Sequence, residues 1–178
     1  MEKIIETERL FLRPFDFGDE EGILAFSSDP KTQELTGDRM RTTLEECREL
    51  ITNVWHPDYE KYGYGRFAVI YKKDHKIIGF NGIKFLPEIG KADLGFRFLP
   101  EYWGQGIATE SSRAILAFAF KEIGLEEVIA FVEPANPASS AVLKKLGFQQ
   151  TKTAPYPGEE DNGDIFWYTL TKQEYERQ

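Results

Sequence analysis

The chain has 178 residues, 41% hydrophobic and 14% aromatic, which is enough to build a core and too apolar for a disordered segment. Its formal charge of -8 argues against nucleic acid as a general partner, because such proteins present a basic face to phosphates. No apolar run reaches the roughly 20 residues of a bilayer span, the amino end reads as a charged strand and not a secretory leader, and the one cysteine, Cys47, excludes an internal disulfide or a cysteine-rich metal site. The expectation is a single domain over residues 1–178, cytoplasmic, with no metal and no membrane partner.

In chain order, residues 8 to 14 read as a strand and 18 to 28 as a helix. Thr42 or Thr43 then caps a second helix that runs to about Trp55, with Glu45 or Glu46 placed for a capping box. Cys47 shares a helical face with Leu44, Ile51 and Val54, a packing position. Residues 66 to 72 and 76 to 86 read as strands joined at Lys73-Asp74-His75, and 91 to 99 as a third strand before Pro100. A long helix carries Ile107, Ala114, Ile115, Phe118 and Ala119 at core spacing and stops at Gly124. A strand at 127 to 132, a helix from Pro137 to Leu146 ending at Gly147, and strands near 148 to 153 and 163 to 170 complete the chain. This order describes an α/β protein with a mixed sheet, antiparallel mostly in its first half.

The richest stretch is Tyr102-Trp103-Gly104-Gln105-Gly106-Ile107-Ala108-Thr109-Glu110, where two glycines open a helix directly after an extended segment. Glycine permits backbone torsions closed to other residues, and the unpaired amides of Gln105, Gly106, Ile107 and Ala108 lie at the positive end of a helix dipole. Such a turn suits a pyrophosphate. A Rossmann fingerprint would need a third glycine where Thr109 stands, and a phosphate-loop NTPase would need Gly-Lys-Ser/Thr after the glycines; neither is present.

This turn, the strand before it and the run Asn136-Pro137-Ala138-Ser139 through Lys145-Leu146-Gly147-Phe148 together resemble the GNAT superfamily of acyl-CoA-dependent N-acetyltransferases, most closely its RimJ/RimL-like branch. The superfamily turn reads Arg/Gln-x-x-Gly-x-Gly/Ala; here Trp103 stands at the first position, in the Tyr-Trp-Gly-x-Gly-x-Ala-Thr-Glu form that the branch favours. The opening Thr7-Glu8-Arg9-Leu10 with Leu12-Arg13-Pro14 is similar to the branch's first strand. The resemblance implies a GNAT fold, a mostly antiparallel sheet of about six to seven strands flanked by helices, as monomer or homodimer.

It also implies a site. Acetyl-CoA would lie with its pantetheine arm along Phe96, Arg97 and Phe98, its pyrophosphate on the turn from Gly104 to Thr109, and Asn136 beside the arm. Ser139 would protonate the departing thiolate, and an amide, that of Phe98, would stabilise the oxyanion. The weak bases on offer are Asp93, where the branch commonly carries Glu, and Glu133. Leu143 fills the place where other superfamily members use a tyrosine acid, and Phe131 the place of a carboxylate. Asn136 before Pro137 is independently a good helix cap. Arg113, Lys144 and Lys145 are candidate phosphate cations, and the acidic segment 154 to 164 and the aromatics Trp55, Tyr62 and Tyr64 are candidate acceptor-groove residues. His56 and His75 read as solvated side chains. The acceptor implied is a protein N-terminal α-amine, with a small amine (a polyamine, amino sugar or amino acid) or a non-catalytic acyl-CoA sensor as alternatives.

Overall fold

Eight strands form one sheet, and its central strands carry runs of buried residues because helices cover both faces. The computed structural model describes residues 2–34, 36 and 38–178. Its strands are β1 (Ile5–Glu6), β2 (Leu10–Pro14), β3 (Arg66–Tyr71), β4 (Lys76–Leu86), β5 (Lys91–Phe98), β6 (Glu127–Val132), β7 (Gln149–Ala154) and β8 (Ile165–Thr171). They lie in the order β1-β2-β3-β4-β5-β6-β8-β7, antiparallel throughout except between β5 and β6. The count is eight where six to seven were expected. The extra strand, β1, is only two residues long, pairing Ile5 with Leu12 and Glu6 with Phe11, and so carries no readable periodicity.

The parallel contact between β5 and β6 is confined to Asp93 opposite Ile129. Past that point the two strands part, and the sheet opens as a wedge along Gly95 to Phe98.

Helices cover both faces: α1 (Glu20–Ser27), α2 (Pro30–Gln33), α3 (Leu44–Leu50), α4 (His56–Tyr62), α5 (Ile107–Ala117), α6 (Pro137–Lys145) and α7 (Lys172–Glu176). Position parity on β4 decides which helix each residue meets. Phe80 packs toward Phe26 of α1, ring centroids 5.8 Å apart. Its neighbour Asn81, fully buried, donates to Ser111 and Ser112 of α5 at 2.8 Å each, fastening that helix behind the wedge.

The helix expected to end near Trp55 continues. Thr43 caps it with a complete capping box through Glu46. A π-helical turn over Ile51–Trp55 then leads directly into α4, which carries Pro57 in its first turn. Proline supplies no N–H to an ordinary helical ladder, and the wider turn ahead of it accommodates that loss. Cys47 and Ile51 are buried as expected, whereas Leu44 is exposed.

Candidate active site

The wedge edge of β5 can be phased from one hydrogen bond. Leu99 donates to the Ile78 carbonyl at 2.9 Å. In an antiparallel ladder, bonded and non-bonded pairs alternate. Arg97 opposite Phe80 and Gly95 opposite Gly82 therefore exchange their main-chain bonds with β4. Phe96 and Phe98, opposite Asn81 and Gly79, turn theirs toward the wedge. The Trp103 indole N–H occupies the Phe98 carbonyl at 2.8 Å. What remains on the edge is the Phe96 N–H and C=O and the Phe98 N–H. Arg97, expected to offer its main chain alongside its neighbours, spends it on β4; the strand register excludes it from the edge.

The glycine turn follows at once. Gly104 and Gly106 have φ of +69° and +77°, in the left-handed region. α5 begins without a side-chain cap, and the amides of Gln105, Gly106, Ile107 and Ala108 donate to no main-chain carbonyl among the described residues. A Cβ at Gly104 would meet nothing within 4 Å, and one at Gly106 only the Arg9 guanidinium at 3.6 Å. The corner is thus bare, exposed and electropositive.

Two motifs that stand about 100 residues apart in sequence hold this corner. Glu110 accepts from Thr7 Oγ1 at 2.7 Å, from the Arg9 amide at 2.9 Å and from Arg9 Nε at 2.6 Å, while Arg9 Nη1 donates to the Gln105 carbonyl at 2.9 Å. Burial pushes the Glu110 carboxyl up, but the bonds from Thr7 and Arg9 outweigh it and hold the group below its ordinary value. Sequence reading noted both motifs as family marks and missed that each is the other's brace. Beside the brace lies a depression of about 630 Å³ lined by Arg9, Gly106, Thr109, Arg113 and Lys145. Of the candidate phosphate cations, Arg113 and Lys145 share it with Arg9, and Lys144 does not line it.

A larger cavity of about 780 Å³ runs along the wedge. It brings together Asp93, Phe96, Arg97, Asn136 and Ser139 of the expected site, and adds Glu133 and, from the acidic segment, Tyr156, Glu159 and Asn162. Asn136 accepts the Ser139 amide at 3.2 Å, so the cap reading holds, and Ser139 stands in the first turn of α6, half-buried at the cavity wall. Tyr156 donates to Glu88 across the rim; burial first and that carboxylate second push its phenol well above the ordinary value.

Asp93 is not a strand-edge carboxylate in water but a buried one with an ion-pair partner. Its side chain is 10% exposed and its Oδ2 takes Arg66 Nη2 at 2.5 Å. Arg66 also donates to the Gly82 and Asp93 carbonyls at 2.6 and 2.9 Å. Its guanidinium lies over Gly95, where a Cβ would come within 2.5 Å of Nη2. Burial pushes Asp93 upward and Arg66 draws it back, leaving it above its ordinary value. Sequence reading missed Arg66, whose only signal was a charge at the start of an apolar strand.

Arg97 contrasts with it. The side chain is 8% exposed, and it meets Asp38 at 3.3 Å from Nη1, an acid that Arg41 shares at 3.7 Å. Among the described residues its buried Nε has no partner, a state that costs about 1–3 kcal/mol.

Three expected groove residues lie elsewhere. Trp55 is buried against Phe15 in a 4.0 Å stack, Tyr64 is buried in the core, and Tyr62 packs on Phe85 at 4.9 Å. The helix that runs on past Trp55 carries Tyr62 to this half-buried contact and ends at Gly63, before Tyr64. His56 pairs with Asp16 outside the cavity, and His75 is an exposed turn residue with φ of +57°.

A strand edge left open beside a bare, electropositive corner suits an extended ligand that carries phosphate. Residues 9–149 match the model of the acetyltransferase (GNAT) domain, and the chain belongs to that family. Among relatives, it is 28% identical over 173 residues to p20 of Bacillus licheniformis, an uncharacterized N-acetyltransferase, covering 95% of this chain and 96% of that one. It is 30% identical to the uncharacterized N-acetyltransferase YoaA of Bacillus subtilis, covering 83% of each. A solved GNAT-family acetyltransferase from Bacillus anthracis superposes with a TM-score of 0.80 at 26% identity, over 96% of this chain and 99% of that one. The protein is therefore an acetyl-CoA-dependent N-acetyltransferase.

Proposed function

We propose that the acceptor is a primary α-amine, foremost the N-terminal amine of a protein, and that it attacks directly while both substrates are bound. The RimJ/RimL resemblance supports the protein terminus. Magnitudes support the α-amine. Freeing one from its proton at pH 7 costs about 1 kcal/mol, against roughly 4–5 kcal/mol for a lysine side chain. The bases lining the cavity, buried Asp93 and rim Glu133, are carboxylates suited only to the smaller task.

The observation that carries this reading is the continuity of the open β5 edge with the uncapped corner. In it, the amides of 105–108 hold the donor's diphosphate, with Arg9, Arg113 and Lys145 nearby for its remaining negative charge. The Phe96 main chain aligns the arm, and the Phe98 N–H is kept for the carbonyl oxygen on which charge gathers. Acetyl-CoA supplies the activated acyl carbon. Asp93, through a water, takes the proton that frees the amine; as the C–S bond breaks, the Ser139 hydroxyl relays a proton to the leaving sulfur and is reprotonated by the one that the new amide nitrogen sheds.

Thiol release measured across short peptides with free N-termini, N-blocked lysine peptides, spermidine and an amino sugar tests it. Free-terminus peptides are expected to be turned over fastest. Preference for blocked lysine peptides or spermidine overturns the α-amine, and tight CoA binding with no turnover on any amine favours the sensor.

A further inference from the structure

The cavity is lined by two guanidiniums on one face of the sheet, Arg66 half-buried and Arg97 buried, and among the described residues only Arg66 is well partnered. Arg66 spends its donors on Asp93 and two main-chain carbonyls. Arg97, opposite Phe80 on the same face, has its guanidinium 5.3 Å from the Phe80 ring centroid, one long bond to Asp38 and an orphaned Nε. Asp38 is itself 44% exposed and divided between Arg41 and Arg97. Three guanidiniums therefore face two carboxylates, and the deficit falls on the residue whose Nε has no acceptor. Fold stability alone gives no reason to bury an arginine in that state. A carboxylate is the group that fits, because the Nε and outer Nη hydrogens of arginine lie parallel and match its two oxygens.

The position is as telling as the vacant donor. Arg97 is rooted between Phe96 and Phe98, so its guanidinium lies within one side-chain length of the edge assigned to the thioester, but on the α1 face of the sheet. The carboxylates of Glu88, Glu133 and Glu159 also line the cavity.

We infer that the acceptor carries a carboxylate close to its reactive amine and that Arg97 is the residue that selects for it. The carboxylate is either the acceptor's own, as in a free amino acid, or the side chain of an acidic first residue in a peptide. This rests on the acetyl-transfer reading above and deepens it.

Four acceptors decide the matter: L-leucine against L-leucinamide, and Asp-Ala amide against Asn-Ala amide, each followed by thiol release with wild type, R97Q and R97K. A neighbouring carboxylate makes an amine harder to deprotonate, so basicity works against the carboxylate member and cannot produce a preference for it. The wild type is expected to favour one carboxylate member about 10- to 100-fold in kcat/KM, the range of a charged hydrogen-bonded pair. The difference should lie mainly in KM. The first pair reports an α-carboxylate, and the second an acidic side chain. R97Q should bring the favoured ratio close to 1, and R97K, which keeps the charge without the fork, should fall between. If amines are acetylated but neither wild-type pair discriminates, the inference is overturned while acetyl transfer stands. If no amine releases thiol, the transfer reading falls; calorimetry of the same four compounds on CoA-saturated wild type then judges Arg97, and no tighter binding of either carboxylate member overturns it too.

Discussion

Gly106→Val tests the bare corner most directly. Gly106 has φ of +77° at the cap of α5, a conformation that costs an L-residue about 1–2 kcal/mol. The new Cβ meets no protein atom closer than the Arg9 guanidinium at 3.6 Å, so strain is the whole structural cost and the fold survives. At this chain length the cost lowers Tm by about 2–8 °C. The isopropyl group projects into the space above the amides of residues 105–108. If it denies a diphosphate two of its charge-assisted bonds, at about 1.5–3 kcal/mol each, the loss is about 3–6 kcal/mol, or roughly 10²- to 10⁴-fold in Kd. Calorimetric titration with CoA reads the affinity, and thermal unfolding without CoA reads the strain. A variant folded as expected that binds CoA within threefold of wild type refutes the placement of the diphosphate.

Ser139→Ala should lower kcat at least tenfold with little change in KM for acetyl-CoA, because the hydroxyl is needed only as sulfur leaves; unchanged kcat returns Ser139 to the helix cap alone. Arg66→Met should destabilise the protein by about 3–5 kcal/mol in denaturant titration, since it leaves Asp93 buried and unpaired. The double variant with Asp93→Asn should recover much of that loss, and failure to recover argues against coupling of the pair. Glu110 has a lowered pKa in the fold, so its stabilisation is complete above the ordinary carboxyl range and fades as pH falls through the folded value. The stability gap between wild type and Glu110→Gln should therefore be widest near pH 7 and close toward pH 3; a gap independent of pH contradicts the brace.

Periodicity and turn chemistry were sufficient for most of the fold. β4 spans Lys76–Leu86 as read from the sequence, Thr43 caps its helix, and Gly124 and Gly147 end theirs in left-handed torsions. The signals that failed were those too short or too conditional to show. β1 is two residues long, and the helix past Trp55 depends on a π turn that tolerates Pro57. The bare glycine turn and the Asn136 cap were legible because both act through local backbone geometry, which the chain carries within a few residues.

Local chemistry thus determined, from the sequence by itself, that this chain opens its central helix with a bare glycine turn and resembles the acetyltransferase family to which it belongs. Only the tertiary structure decided which main-chain groups stay open, because ladder phase turns Phe96 and Phe98 outward and Arg97 inward. Only it decided that Arg9 braces Glu110, that Arg66 neutralises Asp93 and that Arg97 is left short of an acid. Those are pairings between side chains dozens of residues apart, and their energies depend on burial and distance, which no local pattern encodes.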